Sequence, residues 1–104
     1  MTKPTIAGFA WDRGNLAKCQ AHGLTIAEVE GVFTSPHRIY PDLGHSAAET
    51  RFFAIGNGSG TRPIFAAFTL RTRGGKRMIR PISARYMHRK ESEAYDQAIA
   101  QPNR

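Results

Sequence analysis

Eight of the chain's 15 lysines and arginines fall within residues 71–90: Arg71, Arg73, Lys76, Arg77, Arg80, Arg85, Arg89 and Lys90. No Asp or Glu interrupts them, whereas the first seventy residues mix six basic with five acidic groups. Arginine suits phosphate because its planar fork binds two oxygens at once and does not lose its proton. A net charge of +7 and a pI of about 10.3 point the same way, to an anionic partner and above all to nucleic acid. A basic face that is merely solvated, or one that meets an acidic protein, is the competing reading.

If the partner is RNA, its own 2′-hydroxyl can serve as nucleophile. Transfer then needs a base for that hydroxyl, an acid for the leaving 5′-oxygen, and cations that steady the charge on the phosphate. Arg85, Arg89 and Lys90 stand at the end of one expected strand and the first turn of the helix after it. Strand alternation puts Arg77, Ser83 and Arg85 on one face and Arg80 on the other, unless Pro81 introduces a bulge. Glu91 falls on the apolar stripe of the last helix, so it needs a cationic partner, with Arg85 the obvious one. It serves there as one half of an ion pair or as a proton-transfer group. His22, at the end of the first helix, is either a partner for that helix's dipole or an acid–base group. His88 is its rival, set directly among the cations. Glu49 and Arg51, at the entrance of a strand, pair with each other or join the site. Trp11 reads as a core anchor, with base stacking as the alternative.

Other chemistries find less support. The four histidines have no paired ligand spacing and no accompanying carboxylate cluster, so no metal site is expected. There is no nucleophile elbow, and the glycines of residues 56–60 lack the Lys-Ser/Thr of a phosphate loop. They read as a hairpin turn. Cys19 is the only cysteine, which rules out an internal disulfide and suits a small buried side chain on a helix.

These groups need a scaffold, and its elements are legible. Residues 5–11 predict a short strand. Asp12 caps a helix that runs to about His22 with Leu16 and Cys19 inward, and Gly23 closes it. Thr25 and Glu28 form a capping box ahead of a second helix whose buried stripe is Ile26, Val29, Val32 and Phe33, stopped by Pro36. A short strand at 37–40 and an exposed loop at 41–48 follow. Strands at 51–56, 63–72 and 77–86, with turns at 56–60 and Gly74-Gly75, predict an antiparallel meander. A last helix covers about 87–100, with Met87, Ala94, Tyr95, Ala98 and Ile99 on one face, and the tail from Gln101 frays. The whole is an α+β domain, one domain over residues 1–104, with helices on one sheet face and the other free to bind. No apolar run is long enough to span a membrane and no signal-peptide pattern opens the chain, so a cytoplasmic location is expected.

The residues also resemble a known family. Phe9-Ala10-Trp11-Asp12, then Asn15, Lys18 and His22-Gly23, looks like the opening of BrnT, the ribonuclease toxin of the BrnT/BrnA type II toxin–antitoxin system. The likeness continues through Val32-Phe33, Ser35-Pro36 and Glu49-x-Arg51. It closes on residues 79–85, Ile-Arg-Pro-Ile-Ser-Ala-Arg, and on Arg89-Lys90-Glu91 and Tyr95. The first helix is about one residue shorter than the commoner form, and Ala21 stands where Lys usually precedes the His. The resemblance implies a RelE-type fold, RNA cleavage without a metal or other cofactor, and neutralisation by a ribbon-helix-helix antitoxin of BrnA type. That antitoxin, and the toxin only through it, would bind operator DNA. By motif, His22, Glu49, Arg51, Ser83, Arg85 and Glu91 are the candidate catalytic residues. Arg77, Arg80, His88, Arg89 and Lys90 are the candidate RNA contacts. The alternative is a non-catalytic basic module that co-represses with its antitoxin. A purely structural interaction protein would leave the arginine block idle.

Overall fold

Sharp sequence signals set the helix starts. In the computed structural model, which describes residues 6–45, 49–58, 60 and 62–100, the first helix begins where Asp12 stops the first strand. Of His45 and residues 98–100 only the backbone is described. The expectations for Thr5, for 46–48, for the Ser59 turn position, for the Ala98 and Ile99 side chains and for the tail therefore lie outside the described residues.

The elements run β1 (Ile6–Phe9), α1 (Arg13–Gln20), α2 (Ile26–Thr34), β2 (His37–Pro41), β3 (Phe52–Gly56), β4 (Ile64–Arg73), β5 (Lys76–Tyr86) and α3 (Arg89–Ala100). Both helix-start signals act as read. Asp12 caps α1 in an extended conformation, and Thr25 and Glu28 form the capping box of α2 with bonds of 2.9 and 3.1 Å. Gly23 takes a φ of +88° between the helices. At the β4–β5 turn, Gly74 and Gly75 both have positive φ, +57° and +75°, the pair a two-residue hairpin needs to match strand twist.

The five strands form one sheet in the order β1-β5-β4-β3-β2. The expected antiparallel meander β3–β4–β5 is its centre; β2 adds antiparallel at one edge and β1 parallel at the other. The result is mixed α+β, as predicted, with a five-stranded sheet and three α-helices among the described residues. α1 and α2 lie on one face. Cys19, Val29 and Val32, all fully buried, pack there on Ala54, Ala66, Phe68 and Ala84. Alanines on the central strands let the helices approach closely, and Phe33 meets Phe68 edge-on at 5.0 Å. Burial pushes the Cys19 thiol up to about 11, so it behaves as an apolar side chain. Beyond the ends of these helices the same face leaves an apolar groove of about 510 Å³ between Phe9, Phe33, Phe52, Phe68 and Ile79.

Three details depart from the sequence reading. β1 is shorter than 5–11, ending at Phe9 because Asp12 and Asn15 already belong to the helix cap. Asp42, placed in an exposed loop, is buried, its N–H bonded to the Arg51 carbonyl at 2.9 Å. Ala94 is exposed, so it is not on a buried stripe of α3; that helix is held instead by the Tyr95 hydroxyl, which donates to the Ile55 carbonyl at 3.1 Å. No described helix is long and apolar enough to cross a membrane.

The decisive irregularity is in β5. Ala67 pairs with Ser83 and Phe68 with Pro81, which leaves Ile82 without a partner on β4. This bulge beside Pro81 shifts the alternation by one residue. Arg80, expected opposite Ser83 and Arg85, therefore shares their face, and Arg77 turns to the helical face instead.

Candidate active site

Across the sheet from α1 and α2, β5 presents Arg80, Ser83 and Arg85 opposite Thr69, Ala67 and Phe65 of β4. These cross-strand partners share the face with Phe53 of β3, which pairs with Ala67. The Arg85 guanidinium lies 5.0 Å from the centre of the Phe65 ring, a cation on an aromatic floor.

Three arginines of this face are each held by a carboxylate from a different part of the chain. Arg85 binds Glu91 of α3 through both terminal nitrogens, at 2.9 and 3.1 Å, as the sequence reading expected. Arg80 donates to Asp12, the α1 cap, at 2.6 Å. Arg71 pairs with Glu49, a partner 22 positions away that the sequence reading did not name for it. Pairing keeps these acids ionised. The Arg85 hydrogen bond, helped by the His88 N–H, draws the Glu91 carboxyl from 4.5 down to about 2. Arg71 lowers Glu49 in the same way; Asp12 is lowered first by the Asn15 N–H and then by Arg80. In return, the Glu91 hydrogen bond raises Arg85.

The remaining candidates fall at varying distances from this centre. His88 sits at the entrance of α3, where its N–H donates to Glu91 Oε1 at 2.9 Å and its carbonyl accepts from Ser92 at 2.8 Å. Its ring is exposed. Arg51 immediately precedes β3 and is half-buried. Arg89 is almost wholly exposed and pairs with Glu93 at 3.2 Å; Lys90 is exposed beside it. Arg77 lines a shallow depression with Glu49, Thr50 and Thr69 toward the hairpin end. His22 is exposed in the turn after α1, in the helical layer across the sheet. The structure thus groups Arg80, Ser83, Arg85, Glu91 and His88 and leaves His22 apart. Trp11 packs against the core, its indole N–H donating to Glu30 at 2.9 Å, which favours the anchoring role.

Sequence reasoning treated Asp12 only as a helix cap and missed its bond to Arg80, 68 positions away. It also missed the hydrogen bond from the Tyr86 hydroxyl to Glu28, which raises the tyrosine, and the stacking of Arg62 on the Tyr86 ring at 4.3 Å. No local pattern announces either contact. Among the described residues, no group of three or more His, Cys, Asp and Glu side chains converges where it could hold a metal.

A family model, described as the ribonuclease toxin BrnT of type II toxin–antitoxin systems, matches residues 11–91. The chain belongs to the BrnT family. The match begins at Trp11, beside the Asp12 cap, and ends on Glu91, the partner of Arg85, so it spans every residue of the arginine face described above. As a type II toxin family, BrnT implies an RNA substrate and an antitoxin partner. No curated protein matches the chain.

Proposed function

We propose that this BrnT chain is an endoribonuclease that cleaves RNA without a metal, by attack of the 2′-hydroxyl on the neighbouring phosphate. Arg80 and Arg85 bind the phosphate and stabilise the charge that grows on its oxygens, and the Ser83 hydroxyl between them donates a further hydrogen bond. Glu91 holds Arg85 rigid, which makes the fork a fixed part of the site. Arg51, Arg89 and Lys90 guide the backbone of the RNA, while Arg77, turned to the helical face, lies off that path. Glu49 and Glu91, ionised and held by arginines, are poor proton donors and weak bases at neutral pH, so His88 takes the 2′-hydroxyl proton and then gives it to the 5′-oxygen as the P–O5′ bond breaks. His22, across the sheet, is a structural residue in this reading.

The observation that supports the reading is the shared face of Arg80, Ser83 and Arg85 in a member of a ribonuclease family. We further propose a single RelE-like domain, a cytoplasmic location, and an antitoxin of ribbon-helix-helix type through which alone the toxin meets operator DNA. A second reading, a non-catalytic basic module that co-represses with the antitoxin, draws on the pairing of Arg71, Arg80 and Arg85 with carboxylates, which mutes their charge.

The test is cleavage of a synthetic RNA in excess EDTA. Cleavage should persist and leave a 2′,3′-cyclic phosphate or the 3′-phosphate derived from it, and a 2′-deoxy substitution at the scissile position should abolish it. Loss of activity on chelation, or cutting of the 2′-deoxy substrate, would overturn the mechanism. Tight RNA binding without cleavage would favour the co-repressor.

A further inference from the structure

The bulge that brings Arg80 onto the same face as Ser83 and Arg85 needs something to hold it, because an unpaired residue leaves backbone polar groups without ladder partners. One buried side chain does this. Asn15 is 3 % exposed, and its amide nitrogen donates to two carbonyls at once: Ala10, just beyond β1, at 2.9 Å, and Pro81, in the bulge, at 2.8 Å. Its amide oxygen accepts from the Asp12 N–H at 2.7 Å, and its own N–H donates to Asp12 Oδ1 at 3.1 Å. The other Asp12 oxygen holds Arg80 at 2.6 Å.

We propose that Asn15 is the positioning residue of the ribonuclease site, holding the β5 bulge and, through Asp12, the guanidinium of Arg80. The proposal rests on the reading of Arg80 as a phosphate ligand. Every hydrogen-bonding group of the Asn15 amide is used, and each use bears on where Arg80 stands. A residue that only capped α1 would need the amide oxygen alone; the two donated bonds to Ala10 and Pro81 serve the strand pair. An aspartate keeps the acceptor for the Asp12 N–H but sets a second oxygen against the two carbonyls, so it separates the roles.

The test is a double-mutant cycle on kcat/KM for RNA cleavage, with thermal unfolding recorded for every variant. Arg80→Ala should lose about a hundredfold, on the scale of removing one charge-stabilising donor. Asn15→Asp should lose a comparable factor, and the double variant should be no worse than Arg80→Ala alone. If Asn15→Asp does not unfold cooperatively, Asp12→Asn takes its place. That variant keeps the cap acceptor and removes the charge that holds Arg80, and its loss should likewise vanish in the Arg80→Ala background. Losses that multiply, or an Asn15→Asp enzyme of full activity, would overturn the proposal and leave the reading of Arg80 standing. An Arg80→Ala enzyme with undiminished kcat/KM would overturn that reading, and the proposal with it.

Discussion

The Arg85 guanidinium and the Glu91 carboxylate meet through two parallel hydrogen bonds, Nη1 to Oε1 at 2.9 Å and Nη2 to Oε2 at 3.1 Å. The pair ties the last strand to the first turn of α3, and the His88 N–H adds a third bond to the same carboxylate. The guanidinium is thus fixed in place, with part of its conformational entropy already given up.

Arg85→Ala should cut kcat by about a hundred- to a thousandfold, comparable to loss of one oxyanion donor. Arg85→Lys should restore little, since a lysine supplies a point charge without a fork. Arg13→Ala, on the exposed start of α1, changes net charge equally and should leave cleavage near its original rate. Single-turnover cleavage of the three variants decides the matter: equal losses in Arg85→Ala and Arg13→Ala, with Arg85→Lys fully active, would mean that bulk charge is what counts.

Glu91 makes a prediction for acid stability. Its folded value near 2 lies below its ordinary 4.5, because Arg85 favours the ionised form. The unfolded state therefore binds the proton first, and the stabilisation is full above about pH 4.5 and lost as pH falls toward 2. In denaturant titrations, wild type should exceed Glu91→Gln above pH 5, and the gap should close across that window. A gap constant from pH 6 to about pH 2.5 would show that the pairing adds nothing to folding.

RNA affinity should fall with salt, with a log–log slope of about 0.7 per phosphate neutralised on a single strand. Replacing Arg80, Arg85 or Arg89 singly by alanine should each reduce that slope by somewhat less than one phosphate's share, since all three already carry a carboxylate partner. Fluorescence anisotropy between about 50 and 200 mM salt measures it. No salt dependence at all would leave the arginine block without a role in binding.

Gly75→Ala should destabilise the protein by about 1–2 kcal/mol, since its φ of +75° lies in the left-handed region that a Cβ disfavours. The turn is open, with nothing within 4 Å of an added Cβ, so the cost is conformational rather than steric. Chemical denaturation should register it while kcat/KM at saturating stability stays unchanged. A variant as stable as wild type would mean that the hairpin tolerates another turn.

Local chemistry in the sequence determined much of this protein. Asp12 and Thr25 are caps because their side chains bond the free N–H groups of the helix turns beside them, a relationship three residues long. Gly74-Gly75 turns the chain because only glycine enters that conformation freely, and the pairing of Arg85 with Glu91 spans six residues across a strand–helix junction. The BrnT resemblance was legible for the same reason, resting on short motifs in order. What tertiary structure alone decided was which side of the sheet each arginine faces. Strand alternation predicts Arg77 with Ser83 and Arg85; one unpaired residue, Ile82, exchanges it for Arg80. A bulge exists only relative to the neighbouring strand, and this one is held by an asparagine 66 positions away from Pro81. The same holds for Arg80 with Asp12 and Arg71 with Glu49, contacts made when the sheet closes and absent from any local window of sequence.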